Sequence, residues 1–132
     1  PFEKSKTFFK YHFLGPQKDD ISLRLIYSAA DLFIISSRQD NLPNVGIEAH
    51  SCGTPIVAFN TGGLEDIVDH GKTGLLAESF EIDSLSNLIY KVLTENDLRL
   101  NMSNNARQRA IDKWSMEVIS KLYFNLYSKI IN

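Results

Sequence analysis

The sequence predicts an α/β fold built on a parallel, doubly wound sheet, and three observations lead there. Short apolar runs alternate with amphipathic stretches of helical spacing through the first 80 residues. The run Leu32-Phe33-Ile34-Ile35 is apolar on both faces, as a central parallel strand covered on both sides must be. The joining segments are brief and rich in Gly, Pro, Asn and Asp, which leaves helices as the only crossovers between strands.

Taken in order, residues 11–14 (Tyr-His-Phe-Leu) read as a first short strand, ended by Gly15-Pro16. A helix follows, capped by Asp19 or Asp20 and carrying Leu25, Ile26, Ala29 and Ala30 at helical spacing. After the strand 32–35 comes a helix over 43–52, with Pro43 in its first turn and Gly53 at its C-terminal cap. Residues 55–59 read as a buried strand, 60–63 (Asn-Thr-Gly-Gly) as a tight loop, 64–70 as a short helix closed by Gly71, and 74–77 as a last strand.

From Asp83 the pattern is purely helical. Leu85, Leu88, Ile89, Val92 and Leu93 share one face behind an Asp83 cap, and Leu98, Met102, Ala106 and Ala110 recur at fourfold steps. A third helix near Ser115 carries Met116, Ile119, Tyr123, Leu126 and Ile130 on one stripe, widened by Val118, Leu122, Phe124 and Ile131. So broad a stripe serves either internal packing or a further domain.

At 132 residues, 15.0 kDa and 43% hydrophobic content, residues 1–132 fit a single domain with one core. A net charge of −2 without a basic block argues against a nucleic-acid partner. The lone Cys52 cannot form an internal disulfide and fits a buried small residue in a reducing compartment. No apolar run reaches the ~20 residues of a membrane-spanning helix, and the charged opening, which lacks a signal-peptide core, reads as a cut through a longer chain.

The chemistry concentrates between Ser36 and Ala49, where Asp40 falls in the loop after a strand and Glu48 inside the next helix. Both can face the crevice at the carboxyl ends of the strands, where α/β sheets bind ligands. Glu48 is either a solvated carboxylate or an acceptor for vicinal hydroxyls such as those of a ribose; Asp40 is by default a turn or cap residue. The amides of Asn44, Val45 and Gly46 open a helix N-terminus suited to phosphate, with Gly46 permitting close approach, although most such turns are structural. Gly62-Gly63 allows a tight turn or a ligand contact; Glu65 and Asp66 beside it disfavour an anion and point to a sugar or an acceptor. His12, His50 and His70 have no partners at metal-ligand spacing, so no metal site is expected.

The run from Asp40 through Glu48-Ala49, Gly53-Thr54-Pro55-Ile56-Val57, Gly62-Gly63 and Glu65 resembles the C-terminal domain of retaining, nucleotide-sugar-dependent glycosyltransferases of the glycogen-synthase-like family 4 type (glycosyl transferases group 1). That family's signature is acidic-x7-Glu, Ala-x-x-x-Gly-x-Pro-hydrophobic-hydrophobic and Gly-Gly-x-Glu. Phe13-Leu14-Gly15, Ala29-Ala30-Asp31 and Gly71-x-x-Gly74-Leu75-Leu76 match as well, extending the likeness to about residues 10–125.

The resemblance implies a three-layer Rossmann-like domain with C-terminal helices, part of the second domain of a two-domain GT-B enzyme. It implies that Glu48 holds the donor's ribose hydroxyls. The segment Leu42 to Val45, with Gly46, would face the diphosphate and sugar, Gly62 and Gly63 would touch the sugar, and Asp40 would be the catalytic-site carboxylate near the transferred sugar. Asp40 stands where the family more often has Glu, and Leu42-Pro43-Asn44 replaces its usual Phe-Gly-Leu, removing one amide donor.

The implied reaction transfers a sugar from a nucleoside diphosphate donor to an acceptor hydroxyl with retention, without metal or other cofactor. It would serve polysaccharide, lipopolysaccharide or glycolipid synthesis in the cytoplasm or at the inner face of the membrane, peripherally bound. The glycan or lipid-linked acceptor would be held by an N-terminal domain lying outside this chain, so the chain alone should bind donor weakly and catalyse nothing. The rivals are a non-catalytic α/β module or a degenerate transferase serving complex assembly. A sugar-nucleotide epimerase lacks this motif order, and a receiver domain needs clustered aspartates that are not here.

Overall fold

A computed structural model describes residues 10–131. Its elements in order are α1 (Asp20–Ala29), β1 (Phe33–Ile35), α2 (Asn44–Ser51), β2 (Ile56–Phe59), α3 (Leu64–Ile67), β3 (Gly74–Ala77), α4 (Ile82–Thr94), α5 (Asn96–Trp114) and α6 (Met116–Ile131). The three strands form one sheet in the order β1-β2-β3, all parallel, with Phe33 beside Ile56 and Ile56 beside Gly74. The expected α/β, Rossmann-like architecture is therefore present.

Strand β2 is buried at every position, and its alternation divides the core. Ile56 and Ala58 pack with Tyr27, Ile35, Ala49, Leu64 and Ile67 on one face; Val57 and Phe59 pack with Leu75, Leu85, Val92 and Met102 on the other. Successive strand residues point to opposite faces, so a strand apolar throughout needs helices on both, which makes three layers.

Local chemistry sets the helix ends. Asp19 caps α1 by accepting the Ser22 N–H at 2.8 Å, as expected of a carboxylate there. Helix α2 ends in a left-handed Gly53 at φ 76°, with Gly53 N–H bonded to His50 O and Thr54 N–H to Ala49 O. That 5→2 and 6→1 pair is the Schellman motif, which a residue bearing a Cβ adopts only under strain.

Five expectations differ from the structure. Residues 11–14 are not a strand: their side chains are exposed and no described strand offers them a ladder, without which extended backbone has no hydrogen bonds to hold it. Helix α1 buries Tyr27 and packs Leu23 against the same cluster, whereas Leu25 is 62% exposed. Asp83 lies inside the first turn of α4, whose cap position is Glu81.

Helix α3 stops at Ile67 rather than reaching His70. Arg109 donates to Ile67 O and Asp66 O, both at 2.8 Å, occupying the carbonyls that a longer helix would use. Helix α6 has no buried residue, so its apolar stripe does not serve the internal packing role; Phe124, Ile130 and Met116 are among the most exposed large side chains.

Candidate functional site

The carboxyl ends of the three parallel strands open into three loops, and these form the candidate site. The loop after β1, residues 36–43, docks onto the loop after β2 through Gly63 N–H donating to Asp40 O at 3.1 Å. The approach is close enough to require glycine. A Cβ on Gly62, whose φ is 56°, would stand 1.9 Å from Asp40 O, and one on Gly63 would stand 1.4 Å from Asn41 O. Both clashes are with backbone, which cannot swing aside. The Gly-Gly pair is thus a docking surface for the Asp40 loop, and Asp40, Leu42, Gly62 and Gly63 are brought together.

Helix α2 begins immediately after the docked loop, with Pro43 buried at its cap position and Asn44 and Val45 exposed. Gly46 has a packing role as well. Its N–H already donates to Pro43 O at 2.9 Å, and a Cβ there would meet Ile67 Cδ1 at 3.2 Å and Ile35 Cδ1 at 3.4 Å. The missing side chain lets α2 pack on β1 and α3. The amides of Asn44 and Val45 remain as outward donors of the first turn.

Glu48 lies one turn further along α2 and is exposed. Its Oε2 accepts a hydrogen bond from Tyr27 Oη at 3.2 Å. Tyr27 is 6% exposed and is fixed from two directions: its ring meets Phe33 edge to face at 5.3 Å, and its carbonyl accepts from Thr54 Oγ1 at 2.7 Å. Burial, together with the Glu48 carboxylate, pushes the Tyr27 phenol up to about 12. The phenol therefore stays protonated and donates to Glu48 throughout the working pH range. Sequence reasoning missed Tyr27; its signal was the i, i+4 pair Leu23 and Tyr27, which marks the true inner face of α1.

His50, two residues after Glu48, turns into the core. It is fully buried, neither ring nitrogen has a hydrogen-bond partner among the described residues, and its ring lies 6.4 Å from that of Trp114. Burial lowers its pKa to about 4; the Arg109 charge acts in the same direction, and the Thr73 backbone, close by but outside hydrogen-bond geometry, acts against both. His50 is a neutral packing residue. His12 and His70 are exposed, His70 Nδ1 accepting from Leu76 N–H at 2.9 Å. Among the described residues, no three His, Cys, Asp or Glu side chains gather as metal ligands.

An open cleft of about 400 Å³, lined by Arg24, Ser51, Cys52 and Arg107 among others, lies at the opposite end of α2 and contains none of the expected site residues. The chemistry-bearing loops thus form a shallow rim along one edge of the sheet, beside the amide end of α2 and the Tyr27–Glu48 pair.

Residues 9–109 match the family described as glycosyl transferases group 1. The chain belongs to that family. A D-inositol 3-phosphate glycosyltransferase of Corynebacterium jeikeium is 37% identical over 117 residues, covering 86% of this chain and 28% of that protein. Sucrose-phosphate synthase from Thermosynechococcus elongatus superposes with a TM-score of 0.80 at 31% identity, over 87% of this chain and 29% of its own. HepE from Anabaena, solved with UDP-glucose, gives 0.72 at 26% identity, over 80% of this chain and 30% of its own. The chain spans under a third of the length of each of these relatives. The structural neighbours are GT-B glycosyltransferases, so the fold and family expected from the motifs are both present.

Proposed function

We propose that this chain, as residues 1–132 of one domain, is the donor-binding part of a retaining glycosyltransferase. The enzyme moves a sugar from a nucleoside diphosphate to an acceptor hydroxyl on a glycan or lipid-linked carrier. The observation that carries the reading is the Glu48 carboxylate, exposed beside the amide end of α2 and oriented by the buried Tyr27 hydroxyl. A carboxylate so held accepts from both vicinal hydroxyls of a ribose at once. The bound nucleotide of the HepE structures supports a nucleotide-sugar donor.

The phosphates then fall toward Asn44 and Val45. A helix N-terminus carries roughly half a positive charge and contributes about 0.3–1 kcal/mol toward an anion at an exposed site. That is too little for a departing diphosphate. Basic groups from elsewhere in the complete enzyme therefore complete the electrostatic stabilisation, which acts without a metal. Asp40, its backbone fixed by Gly63, carries the carboxylate nearest the transferred sugar, while Gly62 and Gly63 line the same side. The acceptor is held by a second domain that closes over the donor, with the enzyme in the cytoplasm or peripherally at the inner membrane face. Polysaccharide, lipopolysaccharide or glycolipid synthesis is the setting.

The test is Glu48→Gln in the intact protein, assayed against a panel of UDP, GDP and ADP sugars. Transfer should fall by at least about tenfold, the equivalent of one lost hydrogen bond to a charged group; unchanged transfer would overturn the site.

A further inference from the structure

Phe80, in the loop after β3, is the one non-glycine residue with positive φ among the described residues, at 67°. A bulky side chain in the left-handed region is strained, and such strain persists where the surroundings over-determine the backbone, above all at functional sites. The surroundings here are specific. The Phe80 ring lies 6.1 Å from that of Phe59, the last residue of β2, and the neighbouring Ser79 Oγ donates to Asn60 O at 2.5 Å. The Arg38 guanidinium lies over the Phe80 ring, 5.6 Å from its centroid. Arg38 makes no ion pair among the described residues, so the aromatic face is its partner.

Arg38 belongs to the loop after β1 and Phe80 to the loop after β3, with β2 between them. Their contact therefore spans the carboxyl edge of the whole sheet. It grips the loop two residues before Asp40, and the Gly63 N–H grips it at Asp40 itself. We infer that Arg38 and Phe80 form a positioning pair that fixes the Asp40 loop at a second point, two residues before the one held by the Gly62-Gly63 dock. The strained backbone of Phe80 is what brings its ring under the guanidinium. The inference rests on the donor-site reading above only for its effect on transfer; its effect on the loop stands apart from it.

The test uses Arg38→Gln, Phe80→Leu, the double variant and Phe80→Trp in the intact protein, with two readouts. Amide hydrogen exchange over residues 38–41 should speed up about two- to fivefold in each single variant, the size of an exposed cation–π contact. The double variant should be no faster than the worse single, and Phe80→Trp should match the wild type. In transfer assays kcat should fall about tenfold with the donor KM changed less than about threefold, as expected when a loop is misplaced by a fraction of an ångström. Unchanged exchange in either single variant, or additive effects in the double, overturns the pair. Wild-type kcat in both singles overturns its role in positioning. A wild-type protein that transfers no sugar from any donor overturns the donor-site reading instead, and exchange alone then decides the pair.

Discussion

Replacing His50 by Leu tests the physical account of the core most sharply. His50 is fully buried with both nitrogens unpartnered, and its pKa falls from 6.5 to about 4. The sign follows from which state takes the proton first. As pH falls through 6.5 the unfolded chain protonates while the folded one does not, so stability is complete above that value and is lost progressively down to about 4. At 1.36 kcal/mol per unit the whole loss is roughly 3 kcal/mol, of which about 2 kcal/mol is gone by about pH 5. Other groups titrate over the same interval, and the variant subtracts them. His50→Leu keeps the volume and removes two desolvated nitrogens, so at about pH 7.5 its stability should equal or exceed the wild type within roughly 1 kcal/mol. Its acid slope should be shallower by the amounts above. Urea unfolding at a series of pH values, followed by the fluorescence of the single Trp114, measures both. A variant with the wild-type acid slope would refute the reasoning because folding would then not lower the His50 pKa, and one that loses more than about 2 kcal/mol at neutral pH would refute it because the imidazole would then make a stabilising bond in the folded state.

Three further outcomes follow from the same contacts. Tyr27→Phe removes the hydrogen bond that orients Glu48 while keeping the ring packed on Phe33; donor affinity should weaken by roughly fivefold, about 1 kcal/mol, and wild-type affinity by calorimetry would exclude Tyr27 as a positioning residue. Gly63→Ala places a Cβ against Asn41 O, and the two loops must separate; a loss of about 3 kcal/mol is expected in thermal unfolding, and a melting temperature equal to wild type would contradict the docking. Arg109→Met leaves the Ile67 and Asp66 carbonyls without their donor and removes a positive charge acting on His50. Neutral-pH stability should fall by about 1–3 kcal/mol while the acid slope becomes shallower, and a slope equal to wild type would show that Arg109 does not act on the imidazole.

The sequence by itself determined the parts whose physics is local. Alternating apolar runs and helical spacings placed the three strands and six helices of the described residues within a few positions, because burial period follows from backbone geometry alone. Asp19 and Gly53 marked helix ends because their chemistry acts within four residues. The motifs at Asp40, Glu48, Gly53-Thr54-Pro55 and Gly62-Gly63 resembled those of the family to which the chain belongs. What lay beyond reach depends on meetings between distant segments. Residues 11–14 have strand-like composition, yet a strand exists only where a neighbour supplies its ladder. The periodicity of α1 offered more than one apolar face, and only its packing on α2 and on Phe33 selected the one bearing Tyr27, 21 residues from the Glu48 it orients. The packing of Gly46 against Ile67 of α3 is set in the same way. The same holds for Gly63 against Asn41, His50 beneath Trp114 and Arg38 over Phe80. Each of these contacts is set by how whole elements pack, and periodicity along the chain carries no information about that.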